Sequence, residues 1–151
     1  MISILVLNGP NLNLLGTRQP DIYGHTTLAE VEKLCRDTAR ALSVGIEFRQ
    51  SNHEGDLVDA VQAAKATHDG IILNAGAYTH TSIALMDAVA SVELPVIELH
   101  LSNIHSREEF RHRSFIARVA LAQICGLGPD GYPLAIRAMK THLEGRGNGD
   151  A

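Results

Sequence analysis

Short apolar runs along this chain alternate with stretches whose apolar positions recur every three or four residues. The first kind predicts buried strands and the second amphipathic helices. Ile2 to Leu7 (ISILVL) reads as a strand, and Asn8 to Gly24 as a long polar loop bounded by glycine. Thr27-Leu-Ala-Glu30 has the form of a capping box, and Leu28, Val31, Leu34, Cys35, Thr38 and Leu42 follow at helical spacing. Val44 to Gln50 predicts a second strand. Gly55 to Thr67 predicts a second helix with Leu57, Val58, Val61 and Ala64 on one face. A third strand is expected over Gly70 to Asn74, and a third helix opens at Thr81 or Ser82 with Ile83, Leu85, Met86 and Val89 on its apolar side. Pro95 to Leu99 predicts the fourth strand, and Ser106-Arg-Glu-Glu109 a second capping box opening a short helix. Ala120 to Gly126 is expected as the fifth strand, although Val119 to Ile124 would also suit a buried helix. Gly131 to Leu143 predicts a last helix.

Strands separated by helices predict a parallel sheet covered on both faces. Five such units point to an α/β fold with a flavodoxin-like, doubly wound, five-stranded parallel sheet in the order 2-1-3-4-5. With 151 residues the chain suits one domain, expected over residues 1–144. The Gly-, Asn- and Asp-rich stretch 145–151 is expected to be a disordered tail. A formal net charge of −4 without a basic run gives a nucleic-acid partner little electrostatic support. Cys35 and Cys125 form no CxxC pair, which fits a reducing, cytoplasmic setting. The first residues lack the basic region and cleavage site of a signal peptide, and the opening apolar run is too short to span a membrane.

In sheets of this kind ligands bind beyond the carboxyl ends of the strands, near the point where the strand order reverses. Those ends carry Asn8 to Asn13, Ser51 to Gly55, Asn74 to His80 and Glu98 to Asn103, all rich in Asn, His, Ser or Thr. The first loop fits neither a P-loop nor GxGxxG, and no GxSxG elbow occurs. The histidines have no HExxH-like spacing, so no metal is expected, although His53, His80, His100 and His105 could still gather in space. Glu98 and His100 stand at i and i+2 of one strand, which points both side chains to the same face. A carboxylate beside a histidine fixes its tautomer and favours its charged form. Arg18 and Tyr23 lie in the long first loop, a length that suits a lid. A tyrosine titrates near ~10 when unperturbed, and an adjacent cation favours its phenolate. Asn11, Asn74 and His80 are neutral hydrogen-bonding groups suited to hydroxyls. The Leu101 and Ser102 backbone could cradle an anion, and Arg111 could clamp a carboxylate.

Plainer readings stay open at this point. Glu98 could be a surface charge and His100 a satisfied strand-end residue. Tyr23 could be an exposed turn residue and Arg111 a solvated charge. Asn11 and Asn74 could cap loops, His80 could cap a helix, and Asp87 could face solvent. Against an acid–base enzyme stand two other classes, a flavin- or nucleotide-holding module of the same fold and a scaffold without turnover. The Asn-rich first loop and the absence of Trp speak against the first, and the presence of Arg18, Tyr23 and His100 against the second.

With these residues assembled, the chain resembles the type II 3-dehydroquinate dehydratases. The resemblance runs from Ile4 to about Leu143. It rests on Leu7-Asn-Gly-Pro-Asn-Leu-Asn-Leu-Leu-Gly16 with Arg18 and Ile22-Tyr-Gly24, on Gln50-Ser-Asn-His-Glu-Gly55, and on Asn74-Ala-Gly-Ala-Tyr-Thr-His-Thr-Ser82. Glu98-Leu-His-Leu-Ser-Asn-Ile-His105 and Arg107-Glu-Glu-Phe-Arg111 complete it. The resemblance implies anti elimination of water from 3-dehydroquinate through an enolate, in the shikimate pathway, with no cofactor, metal or Schiff base. It implies Tyr23 as base, Arg18 holding it as phenolate, Asn11 stabilising the enolate through a water, and His100, oriented by Glu98, as acid. It implies Asn74 and His80 on ring hydroxyls, the Leu101 and Ser102 backbone on the carboxylate, and Arg111 on another polar group. Asp87 would come from a neighbouring subunit, because the family packs trimers into homododecamers. Ala75 departs from the proline usual after the third-strand Asn, and Met86 stands where other members often carry Arg.

Overall fold

The structure, a computed structural model, describes residues 1–147. Five parallel strands, β1 (Ser3–Asn8), β2 (Gly45–Gln50), β3 (Gly70–Asn74), β4 (Val96–His100) and β5 (Ala122–Cys125), form one sheet in the order 2-1-3-4-5. The expected topology is the one observed. The helices are α1 (Pro20–Tyr23), α2 (Leu28–Leu42), α3 (Glu54–Thr67), α4 (Ile83–Val92) and α5 (Gly131–Gly147). None of the described helices is long and apolar enough to cross a membrane.

Because strand side chains alternate in direction, each central strand feeds two cores. Ile4, Val6, Ile72, Ile97 and Leu99 pack under α2 and α5, against Val31, Cys35, Tyr132 and Ile136. Leu5, Leu7, Ile71, Leu73 and Val96 pack under α3 and α4, against Leu57, Val61, Leu85 and Val89. Truncating any of these large side chains to Ala should cost about 2–5 kcal/mol. The same alternation puts Glu98 and His100 on the α3/α4 side, with Val96. There β4 runs past its apolar stretch into polar surroundings.

Local signals explain the element ends. Thr27 Oγ1 accepts from Glu30 N at 3.2 Å, the first half of the predicted capping box. Ser82, not Thr81, starts α4, its Oγ accepting from Leu85 N at 2.9 Å. Four expectations change. The loop from Asn8 to Gly24 contains a one-turn 3₁₀ helix (Leu12–Leu14) and the short α1. The Ser106 box does not form: Asn103 caps a 3₁₀ turn over Ile104–Ser106, its Oδ1 accepting from His105 N, and the Ser106 hydroxyl donates back to the Asn103 carbonyl. The fifth strand begins at Ala122, because a 3₁₀ turn over Ile116–Arg118 occupies the stretch before it. The last helix continues past Leu143 through Gly147, so Gly145 to Gly147 of the expected tail are helical. The rest of that tail, residues 148–151, lies outside the described residues.

Candidate active site

One pocket lies beyond the carboxyl ends of β1, β3 and β4, where the strand order reverses. The segment after β1 contributes Asn11, Arg18 and Tyr23, and the segment after β3 contributes Asn74 and His80. β4 and the turns after it contribute His100, Leu101, Ser102, Arg107 and Arg111. The first two loops are locked together by close backbone approach. Gly9 N donates to the Asn74 carbonyl at 2.7 Å, and a Cβ at Gly9 would lie 2.5 Å from the Ala75 oxygen, so only glycine fits. Asn11 takes a left-handed backbone, φ 67°, a conformation asparagine tolerates better than most residues. Its N–H is tied to Asn52 Oδ1 at 3.0 Å, which puts a use to the Gln50-to-Gly55 motif.

Beneath the pocket Glu98 is wholly buried. An unpaired carboxylate there would be costly, and it is fully partnered instead. Oε2 accepts from Thr79 Oγ1 (2.7 Å), Ser114 Oγ (2.7 Å) and His100 Nε2 (2.5 Å), and Oε1 from Gln123 Nε2 (3.1 Å). Burial opposes ionisation of Glu98, but the bond and charge of His100 and the Ser114 and Thr79 hydroxyls outweigh it. The carboxyl is held below its ordinary value. An ionised carboxylate only accepts, so His100 Nε2 carries a proton and Nδ1 is the ring nitrogen left for a ligand.

The His80 ring stacks on that of His100, centroids 6.3 Å apart. Burial, above all, pulls the His80 pKa down. The Arg113 carbonyl opposes this, while the charges of His100 and Arg111 add to it. His80 is therefore neutral at pH 7. Its Nδ1 sits 2.8 Å from the Arg113 carbonyl, so Nδ1 is the donor and Nε2 remains an acceptor, the right polarity for a hydroxyl.

At the rim two arginines converge on Tyr23. Arg18 lies over its ring, 4.8 Å from the centroid, and Arg107 at 5.4 Å. Arg107 Nη1 donates to the Tyr23 oxygen at 2.9 Å and to Ser102 Oγ at 3.3 Å. Arg111 Nε is braced by Glu108 Oε2 at 2.5 Å.

His53 and His105 lie outside this pocket, and of the residues given a site role from the sequence all line it except two. Glu98 sits one layer below, bonded to His100. Asp87 is exposed on α4, away from the pocket. The structure adds Arg107, which stood in the Arg107-to-Arg111 motif without a role, and the donors Thr79, Ser114 and Gln123. Ala75 is buried with φ −74°, an angle proline shares, so the departure leaves the turn in place. Met86 packs half-buried against the α3/α4 core. Among the described residues no three His, Cys, Asp or Glu side chains gather to hold a metal ion.

Fold and pocket together define an α/β enzyme equipped for proton transfer at the switch point of a parallel sheet. Comparison with known proteins makes this specific. Residues 2–140 match the family described as dehydroquinase class II. The chain is 63% identical over 147 residues to the 3-dehydroquinate dehydratase of Ruegeria pomeroyi, covering 97% of this chain and 99% of that protein. It is 62% identical over 140 residues to that of Dinoroseobacter shibae, 93% of each. The crystal structure of a type II dehydroquinase from Butyrivibrio crossotus superposes with a TM-score of 0.91 at 44% identity, over 92% of this chain and 97% of that one. This chain belongs to the class II dehydroquinase family, and so to the hydro-lyases.

Proposed function

We propose that this pocket removes water from 3-dehydroquinate to give 3-dehydroshikimate by acid–base catalysis, with Tyr23 as base and His100 as acid. One observation carries the assignment of roles: a histidine fixed by a buried, ionised glutamate and a tyrosine clamped by two arginines face one cavity. The Tyr23 oxygen takes the proton from C2, and the electron pair moves into an enolate at the C3 carbonyl. The enolate then forms the C1–C2 double bond and expels the C1 hydroxyl, which leaves as water with the proton of His100 Nδ1. A base and an acid placed in this way each contribute roughly 10²–10⁴-fold. Arg107, bonded to the Tyr23 oxygen, and Arg18, over its ring, set positive charge beside the base, and Asn11 acts on the enolate through a water. Asn74 and His80 take ring hydroxyls, the Leu101 and Ser102 backbone takes the carboxylate, and Arg111 takes a further polar group.

The pocket is narrow, about 50 Å³. The segment carrying Arg18 and Tyr23 forms its rim, and its place in a long loop suits it to open and close as a lid. Asp87 completes the site of a neighbouring subunit in a homododecamer of trimers, located in the cytoplasm, where Cys35 and Cys125 stay reduced. Burial pushes their thiols up to about 12 and about 11, which makes them sluggish toward oxidants.

The test follows the ultraviolet absorbance of the conjugated enone after adding 3-dehydroquinate to EDTA-treated enzyme, repeated after borohydride treatment with substrate present. Turnover that survives both treatments and disappears in Tyr23→Phe, with ligand binding retained, is the expected result. Near-normal kcat in Tyr23→Phe overturns the base assignment. A forced monomer with full activity overturns the role of Asp87.

A further inference from the structure

Tyr132 on α5 is fully buried, yet it carries a hydroxyl into an otherwise apolar layer. A phenylalanine would fill the same volume without the desolvation of a polar group. The hydroxyl meets two buried asparagines at the ends of β1 and β3. It donates to Asn8 Oδ1 at 2.7 Å and accepts from Asn74 Nδ2 at 3.0 Å. The order of these bonds is not free. Asn8 Nδ2 donates to the Arg49 carbonyl at 3.0 Å, which leaves Oδ1 as the end of that amide facing Tyr132. A phenol has one hydrogen, and burial pushes its pKa up, so it stays protonated and spends that hydrogen on Asn8. Only oxygen lone pairs then face Asn74, which must turn its NH₂ end toward them. Its Oδ1 points the other way and accepts from Gly76 N at 3.3 Å. A flipped Asn74 would set oxygen against the phenol oxygen and NH₂ against the Gly76 N–H. The chain from Arg49 through Asn8 and Tyr132 thus dictates which end of the Asn74 amide sits where in the pocket.

We infer that Tyr132 is a positioning residue for the reaction: from outside the pocket it fixes the donor–acceptor polarity of Asn74 toward the substrate. This rests on the proposed role of Asn74 in binding ring hydroxyls. Without the phenol hydroxyl, the Asn74 amide keeps only the longer 3.3 Å bond from Gly76 N to hold its orientation, and a hydroxyl meets the wrong end for part of the time. The loss is in binding shared by ground and transition states, so it falls on KM rather than kcat.

The experiment is a double-mutant cycle on the intact enzyme with Tyr132→Phe, Asn74→Ala and both, reading kcat, KM and the urea midpoint of each. Tyr132→Phe should raise KM roughly tenfold, the equivalent of one hydrogen bond, with kcat little changed. In the Asn74→Ala background the same change should leave KM where Asn74→Ala alone puts it. A lowered urea midpoint with wild-type KM in Tyr132→Phe means the hydroxyl only holds the core together, and overturns the inference. A raised KM in Asn74→Ala with a normal KM in Tyr132→Phe overturns it while sparing the Asn74 assignment. An unchanged KM in Asn74→Ala removes that assignment and the inference with it. If Tyr132→Phe does not fold, Asn8→Leu serves in its place. Asn8 does not line the pocket, and its loss frees the phenol hydrogen to turn toward Asn74. The same rise in KM is expected, and a normal KM overturns the inference.

Discussion

On the floor of the pocket Glu98 is wholly buried, and four side chains donate to it from β4, β5 and the turns over Thr79 and Ser114. On the rim Tyr23 is half-buried on a four-residue helix, and its fixed partners are two long, flexible arginines. The floor is preorganised: its donors are anchored before substrate arrives, so proton transfer at His100, the proposed acid, would need little reorganisation. The rim, a short helix within a long loop, is suited to open and close over a substrate. On the proposed roles, acid and base are held by opposite strategies, a dense hydrogen-bond cage for His100 and charge-assisted contacts on a loop segment for Tyr23. A cage tolerates loss of one donor better than a clamp tolerates loss of one arm.

The sharpest way to break this contrast is at the joint of the floor. Glu98→Gln replaces an acceptor-only carboxylate with a group that brings its own donors to a site full of donors, and His100 loses its fixed tautomer. A fall in kcat of roughly 10²–10⁴-fold is expected, with KM little changed, in steady-state kinetics. Next comes the clamp. Arg107→Met removes the 2.9 Å bond to the Tyr23 oxygen, and kcat should drop about 10²-fold, the scale of one lost donor at a reacting oxygen. Arg107→Lys keeps the charge but not the forked geometry, and should fall between that variant and the wild type.

Thinning the cage should be milder for catalysis and visible in stability. Thr79→Val removes one of the donors to Glu98 and should cost about 1–3 kcal/mol in urea unfolding while kcat stays within about tenfold. The pH dependence carries a sign. The Glu98 carboxyl titrates lower when folded than its ordinary 4.5, so its contribution is complete above that pH and is lost as pH falls through the folded value. Acid should therefore lower the urea midpoint of the wild type, and lower it less in Thr79→Val, whose carboxylate is less well stabilised. Smallest of all, Ala75→Pro at φ −74° should raise stability by about 0.4–1 kcal/mol by restricting the unfolded chain, with kinetics unchanged.

The same contrast decides what could be read from the amino-acid order. Sheet order follows from alternation of strand and helix patterns, and the Glu98–His100 pair from the two-residue period of a strand, so both were legible. That Asn11, Asn74 and His80 line the pocket was legible because the strand ends are where such sheets bind ligands. The cage was not legible. Thr79, Ser114 and Gln123 lie 19, 16 and 25 residues from Glu98 and meet it only through folding. Tyr132 reaches Asn8 across 124 residues. Arg107 escaped for a different reason. The segment after β4 folds as successive 3₁₀ turns, which have no strong period to say which side chain points inward, and the Ser106 box suggested a regular helix that does not form. One signal was available: an arginine four residues before Arg111 in the same motif.

The central claim is that base and acid sit on separate walls and act in separate steps. Hydrogen exchange at C2 of 3-dehydroquinate, followed by NMR in D₂O, tests it most directly. His100→Ala should keep the base and lose the acid, so it should incorporate deuterium at C2 while forming little product. Tyr23→Phe should do neither. A Tyr23→Phe enzyme that exchanges the C2 hydrogen at the wild-type rate would contradict the division of labour between rim and floor.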